Sequence, residues 1–330
     1  MFDHFRIHVM KDASKAAPHM RIVQTTVGEY DHETATFVLA TANSKLYVAI
    51  KRGIIHSYDL NTTDVSTWYQ KSGYIAPVRV DLTRMYTEAL ASYHPFRWRK
   101  GEPSDAIFKK KQHPLVVAEG QKNLYVVGKD SFSAELTARE IATCEFFRDH
   151  PHPNIAKYRG VVAKDSLKFG KGRSAVTIEL DTKRVYALVF KRYDCDLWAM
   201  VEKRKRFDVR YCLQSIEAGI LYMHSLGLSH TDTKPDNIFV EKTHSSSRPH
   251  EFVLGDFDST ACIGSGIAIK GGDWAWSPRK AEGEPIHDTD DWYAFQNLKI
   301  WVVREMGERI EDYDGIGKWI KSAQGPQLSR

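Results

Sequence analysis

The spacing of apolar positions changes along the chain, from short β-type blocks to helical stripes. "RIVQTTV" (21–27) and "TFVLAT" (36–41) flank the polar, turn-like "GEYDHETA" (28–35), and "KLYVAIK" (45–51) and "GIIHSYDL" (53–60) come after them. β-branched and aromatic residues between Gly, Asn and Asp punctuation predict strands here. Pro77 breaks the mixed run that comes next, "RMYTEALASY" (84–93) has the make-up of a short helix, and 94–114 is a Pro- and Lys-rich connector. "LVVAEGQKNLYVVGK" (115–129) reads as a hairpin.

Helical spacing takes over at "SAELTAREIATCEFFRDH" (133–150), where Ser133 is placed to cap and Leu136, Ile141, Cys144 and Phe147 share one side. "IAKYRGVVAK" (155–164) and "RVYALVFKRY" (184–193) return to strand character. "RYCLQSIEAGILYMHSLG" (210–227) is then a strongly amphipathic helix that Gly227 ends. The likeness of "KLYVAIK" to "NLYVVGK" (123–129) is a coincidence of β-propensity, because two copies make no repeat array.

Composition narrows the class without naming a function. A chain of 330 residues with 42% hydrophobic and 27% charged positions can bury a sizeable core. A formal charge of +5 favours acidic partners only weakly, and no dense basic face points to nucleic acid. Cys144, Cys195, Cys212 and Cys262 form no close pair, so they read as small buried hydrophobes of a reducing compartment. The first twenty residues lack the apolar run of a secretory signal and no segment reaches membrane-spanning length, which predicts a cytoplasmic or nuclear setting without membrane association. "KRKRF" (203–207) is first a solvated surface and second a nuclear-import patch.

One constellation carries chemistry. After the amphipathic helix come "HTDTKPDNIFV" (230–240), a Ser-rich turn, and "FVLGDFDST" (252–260). This resembles the eukaryotic protein-kinase family, with its H-x-D-x-K-P-x-N catalytic loop and D-F-G metal-binding turn. The likeness is closest over 220–258 and extends more weakly over about 115–300. "AREIATCEFF" with "HPNI" (152–155) resembles the small-lobe helix, "FKRYDCDL" (190–197) the hinge, and "TDDWYAFQNL" (289–298) the start of the central helix of the large lobe.

The resemblance implies an α+β, bilobal kinase-like fold, with a β-rich small lobe and a mainly helical, shortened large lobe. It divides the chain into a divergent β-rich region 1–110, part of the small lobe or a unit of its own, small-lobe elements over 111–191, and the large lobe over 192–330. It also implies ATP and Mg²⁺ as cofactors. Asp232 would orient the acceptor hydroxyl and Lys234 would reach the transferred group. Asn237 and Asp256 would offer oxygen ligands to magnesium, with Asp258 as a further candidate. His230 would brace the loop, Asp291 would tie to it, and Pro278 would stand in the A-P-E segment. Backbone groups of Arg192 and Tyr193 would hold adenine, and Glu140 would pair with the ATP-contacting lysine.

That lysine has three candidates: Lys129, at the end of a strand-like run 11 residues before Glu140; Lys110, 30 residues before it; and Lys51, 89 residues before it. Lys110 requires the stretch between it and the helix to be an insertion.

The chain departs from the family pattern at four places. No G-x-G-x-x-G precedes the small-lobe helix. Thr231 stands where many members carry the Arg that clamps an activation-loop phosphate, and Asp258 replaces the final Gly of D-F-G. In "GGDWAWSPRK" (271–280), Arg279 stands in place of the Glu of A-P-E, and few residues come after the central helix. The leading expectation is an ATP- and Mg²⁺-dependent kinase of protein serine and threonine. The alternatives are a pseudokinase or interaction module with a protein partner, and a kinase of a small-molecule hydroxyl, because Asp256 with Asp258 resembles the acidic pair of small-molecule phosphotransferases.

Overall fold

The computed structural model describes residues 18–56, 63–70, 72–266, 270–280 and 283–317. The fold is α+β, as expected. The chain divides into two compact units: one of residues 1–85, 112–131 and 165–181, the other of 86–111, 132–164 and 182–330. These divisions do not coincide with boundaries at 110 and 191, because the first unit is assembled from three separate stretches of chain.

The first unit is built on a four-stranded antiparallel meander, Arg21–Tyr30, Glu33–Ala42, Lys45–Arg52 and Tyr74–Arg79. The polar octapeptide 28–35 contributes far less turn than its composition suggests. Strand pairing runs on to Tyr30 against Glu33, and only Asp31 and His32 turn, at φ 53° and 60°. Asn43 and Ser44 make the same kind of two-residue turn, at φ 50° and 56°. Positive φ at both positions matches the right-handed twist of the flanking strands, and short polar side chains tolerate it best. Pro77 lies inside the last strand, an edge strand, where a missing N–H costs no ladder bond.

Three expected elements differ among the described residues. "GIIHSYDL" does not continue the meander: Gly53 turns away at φ 79°, 54–56 are irregular, and 57–60 lie outside the described residues. Of 84–93 only the start is helical, within the single turn Leu82–Met85. The stretch 115–129 is no hairpin. Pro114 opens a helix, Pro114–Gly120, whose first turn is capped by the His113 ring accepting the Leu115 N–H at 3.2 Å. Pro at the first position of a helix loses no bond, so the β-branched "LVV" is overridden by its start signal. Leu115 and Ala118 of this helix are buried.

The second unit holds the larger part of a three-stranded sheet in the order Ile107–Lys111, Val176–Lys191, Tyr158–Phe169. The first pair is antiparallel, with Ile107 opposite Lys191 and Lys110 opposite Leu188. The helix Ser133–Asp149 buries Thr137, Glu140, Ile141, Cys144 and Phe147, a stripe at three- and four-residue spacing. Ser133 opens this helix without capping it, and Leu136 is only half buried.

The amphipathic helix forms as predicted, over Val209–Ser225. The Asp208 carboxylate accepts the Tyr211 N–H at 2.9 Å at its start, and Gly227 stands just past its end at φ 72°. Leu213, Ile216 and Ile220 pack into one core with Phe295 and Leu298 of the helix Asp288–Glu305. The strands Ile238–Lys242 and His250–Leu254 pair as a hairpin with Ile238 opposite Leu254, so the loops at the mouth of this hairpin lie side by side. Among the described cysteines none is bonded; Cys144 and Cys212 are buried, whereas Cys262 is exposed, contrary to a buried role for all four.

Candidate active site

Two polar loops flank the hairpin. The first is Ser229–Asn237, and its anchor is Asp291. This carboxylate is fully buried and accepts four bonds: from the Ser229 hydroxyl at 2.9 Å, the His230 N–H at 2.8 Å, the Thr231 N–H at 2.8 Å and His224 Nε2 at 2.9 Å. Burial alone would raise its pKa, yet the hydrogen bond from His224 and the neighbouring His230 hold it below the ordinary carboxylate range. His230 is buried and spans the loops: its Nε2 donates to the Gly255 carbonyl at 2.9 Å and its Nδ1 accepts the Asp232 N–H at 3.3 Å. Thr231 adopts φ 62°, which a β-branched residue rarely enters. The bond from its N–H to Asp291 and from its hydroxyl to the Ser259 carbonyl at 2.7 Å hold it there.

Asp232 sits on this frame, nearly fully buried. Its Oδ2 receives the Asn237 amide at 3.1 Å and lies 3.1 Å from Lys234 Nζ. Its Oδ1 accepts the backbone N–H of Asp273 at 2.8 Å. Desolvation works against the Lys234 ammonium, but Asp232 and Asp273 raise its pKa, so it stays charged.

The second loop is Gly255–Thr260. Asp256 takes the left-handed conformation, φ 61° and ψ 74°, leading into the tight turn Phe257–Ser259. Phe257 is buried edge-on against Phe147, with ring centroids 5.0 Å apart, which fixes the turn to the helix that carries Glu140. Asp258, standing where the family pattern has Gly, lies in the right-handed part of the turn, so no glycine is needed at that position.

Glu140 pairs with Lys110, not with Lys129 or Lys51. Lys110 Nζ lies 3.0 Å and 2.9 Å from the two Glu140 oxygens, touches Asp256, and is 3.4 Å from Asp258. Lys129 belongs to the first unit, just beyond the turn Tyr125–Val127, and Lys51 lies in the third strand of the meander. The strand that carries Lys110 is continuous with the sheet beneath the site, whereas 112–131 belongs to the other unit, so this stretch is the insertion that Lys110 required.

Glu140, Asp256 and Asp258 bring carboxylate oxygens within 4.8 Å of one another. Burial pushes the Glu140 carboxyl up to about 7, against the pull of Lys110. Burial also works against the Lys110 ammonium, but the three carboxylates raise its pKa well above the usual value. Asp258 is held low: burial opposes ionisation, and Lys110 and Lys270 outweigh it.

A cavity of about 420 Å³ opens beside this cluster, walled by Phe108, Phe190, Tyr193 and Phe239 and floored by Asn237 and Asp256. Tyr193 stacks on Phe239 at 5.7 Å. The Arg192 N–H is already committed to the Ala106 carbonyl at 3.0 Å, so a ligand takes it only by breaking that bond. Pro278 lies in the wall of a second cavity that Thr231 also lines. Lys270 and Asp273 carry no motif of their own in the sequence, and both reach the site. Their only signal is the pair Gly271–Gly272, which the two residues bracket.

The family pattern described as "Protein kinase domain" matches residues 108–295. Two curated relatives are each 33% identical over 152 residues: the serine/threonine-protein kinase US3 homolog of Gallid herpesvirus 2 (strain GA) and the protein kinase US3 homolog of its strain Chicken/Md5. The matches cover 42% of this chain and 36% of each relative, so the chain spans about a third of their length. Among solved structures, a chain of the yeast RNA Pol II CTD kinase CTDK-1 complex is similar at 14% identity and a TM-score of 0.38, over 68% of this chain and 64% of that one. No helix among the described residues is long and apolar enough to cross a membrane.

Proposed function

The chain belongs to the protein kinase domain family, and from that premise we propose that it transfers the terminal phosphoryl group of Mg·ATP to a serine or threonine hydroxyl of a protein. The observation that carries this reading is the convergence of Lys110–Glu140, Asp232, Lys234, Asn237 and Asp256 in one compact unit.

The donor set fits the cofactors. Asp256 offers a carboxylate and Asn237 an amide oxygen at the floor of one cavity, the hard oxygen donors that magnesium prefers. Asp256 and the Asn237 amide oxygen would hold Mg²⁺, and the aromatic-walled cavity would take the base. Bound magnesium supplies charge neutralisation at the phosphate oxygens. Lys110 positions phosphate oxygens through an ammonium that Glu140 aims. Asp232 accepts a hydrogen bond from the acceptor hydroxyl and orients it in line, and Lys234 offsets negative charge on the transferred group.

A second reading, a nucleotide-binding module without turnover, draws on one observation: both oxygens of Asp232 are already occupied, by Asp273 on one side and by Asn237 and Lys234 on the other. Thermal shift with ATP and Mg²⁺, and then labelled-phosphate transfer to a peptide library and to small hydroxyl compounds, separates these. Transfer that is lost in Asp232→Ala supports the kinase. A shift without transfer supports the module, and transfer to small compounds alone moves the acceptor class.

A further inference from the structure

Asp258 faces two ammonium groups, Lys110 from the edge strand and Lys270 from beyond the second polar loop. Its Oδ2 is 3.4 Å from Lys110 Nζ, while its Oδ1 is 2.7 Å from Lys270 Nζ and accepts the Ser259 hydroxyl at 3.1 Å. The Asp258 side chain is 17% exposed and that of Lys270 35%, so the pair is half-buried and open to solvent mainly on the lysine side.

Directly after Lys270, residues 271–277 cross the catalytic loop and are joined to it at three places. A Cβ on Gly272 would collide with the Thr231 carbonyl and the Ser277 side chain, so the backbones meet as closely as glycine allows. The Asp273 N–H holds Oδ1 of Asp232, and the Ser277 hydroxyl donates to the Thr231 carbonyl at 3.1 Å. The Asp273 carboxylate is 3.8 Å from Lys234 Nζ. The crossing begins with two glycines, which lose the most backbone entropy on being ordered, and Lys270 is the residue immediately before them. None of these contacts involves a phosphate acceptor clamped by arginine, and Thr231 offers no cation for one.

We propose that Lys270 and Asp258 form a built-in latch that positions the acceptor side of the site: the pair fixes 271–277 over the catalytic loop, and Asp258 serves as the counter-ion of Lys270 instead of as a magnesium ligand. Lys270 and Asp258 are positioning residues, acting on the acceptor hydroxyl through the Asp273 N–H and Asp232. The segment is thereby held without phosphorylation. This rests on the phosphotransferase reading for its consequence in catalysis, but the latch itself is a conformational property that can be read without turnover.

The test compares the full chain with Lys270→Met, Lys270→Arg and Asp258→Asn. Amide hydrogen exchange over 271–277 is measured first, because it needs no activity. The latch predicts at least about tenfold faster exchange there in Lys270→Met and Asp258→Asn, and near wild-type exchange in Lys270→Arg. Calorimetric titration of Mg·ATP should then give affinities within about twofold of wild type for Lys270→Met and Lys270→Arg. Where transfer is measurable, KM for the acceptor peptide should rise about tenfold or more in Lys270→Met with KM for ATP unchanged, and Lys270→Arg should restore it. Unchanged exchange in Lys270→Met overturns the latch. Loss of Mg·ATP affinity in Asp258→Asn, with Lys270→Met binding normally, overturns it too, because Asp258 is then a metal ligand. Absence of transfer by the wild type would count against the kinase reading alone, leaving the exchange result to decide the latch.

Discussion

Lys110 and Glu140 stand 30 residues apart in sequence and form a bidentate contact, 3.0 Å and 2.9 Å, between an edge strand and the buried side of a helix. Glu140 is almost completely enclosed, so its charge has few other partners, and Lys110 is the cation that the fold brings to it. Lys129 and Lys51 are thereby set aside as its partner, since a lysine at a strand end acquires a role only from what it meets.

Substitution separates the three lysines. Lys110→Met should lower transfer by at least about 100-fold, the scale on which one preorganised electrostatic contact acts on a transition state. Lys129→Met and Lys51→Met should stay within about twofold, because neither residue is in the unit that holds the site. Parallel initial-rate measurements on the four proteins check this, with circular dichroism to establish that each is folded.

The buried glutamate makes stability depend on pH. Glu140 has a folded-state pKa of about 7 against an ordinary 4.5, with burial as the leading cause. Between those values the folded chain binds more protons than the unfolded one, so stability must fall as pH rises from about 4.5 to about 7, and it levels off above. Glu140→Gln removes this slope. Urea denaturation of the ligand-free protein at about pH 5 and pH 7.5 should show a larger loss for wild type than for Glu140→Gln, and equal losses would rule the assignment out.

Asp291 gives the opposite sign. Its pKa is depressed below 3.8, chiefly through the His224 hydrogen bond and His230 acting against burial. Its stabilising contribution is therefore complete above about pH 4 and is lost as pH falls through the lower, folded-state value. Asp291→Ala strands four donors in a buried place and should cost roughly 3–5 kcal/mol at neutral pH, as the loss of a buried charged partner does. The same variant should show a smaller acid-induced loss than wild type. Denaturation at about pH 7 and pH 3.5 reads both effects.

Legibility in the sequence depends on how far apart the interacting residues lie. The catalytic loop, the Asp256 turn and the amphipathic helix are readable because each carries its pattern within a short stretch, ended for the helix by Gly227. Asp291 is readable by resemblance alone; its four-fold hydrogen bonding depends on how helix and loop meet. The partner of Glu140 stays open in the sequence because the β-branched residues of 112–131 suggest a strand, whereas His113 and Pro114 start a helix that belongs to another unit. Lys270 and Asp273 are invisible there because a Gly-Gly pair looks like an ordinary turn until the backbone it must approach, at Thr231, is known.

That close approach can be tested directly. A methyl group on Gly272 would overlap both the Thr231 carbonyl and the Ser277 side chain. Serine could rotate away; a backbone carbonyl held through Thr231 to Asp291 and Ser259 cannot. Gly272→Ala should therefore lift the segment off the loop and withdraw the Asp273 N–H from Asp232, leaving the core helices untouched. Stability should fall only modestly, by about 1–3 kcal/mol as for other overpacked positions, while transfer falls by at least about tenfold through lost orientation. Gly271→Ala, one residue earlier and with open space around its Cα, should be close to wild type in both. A Gly272→Ala protein with wild-type turnover would show that the close approach serves the fold and not the acceptor.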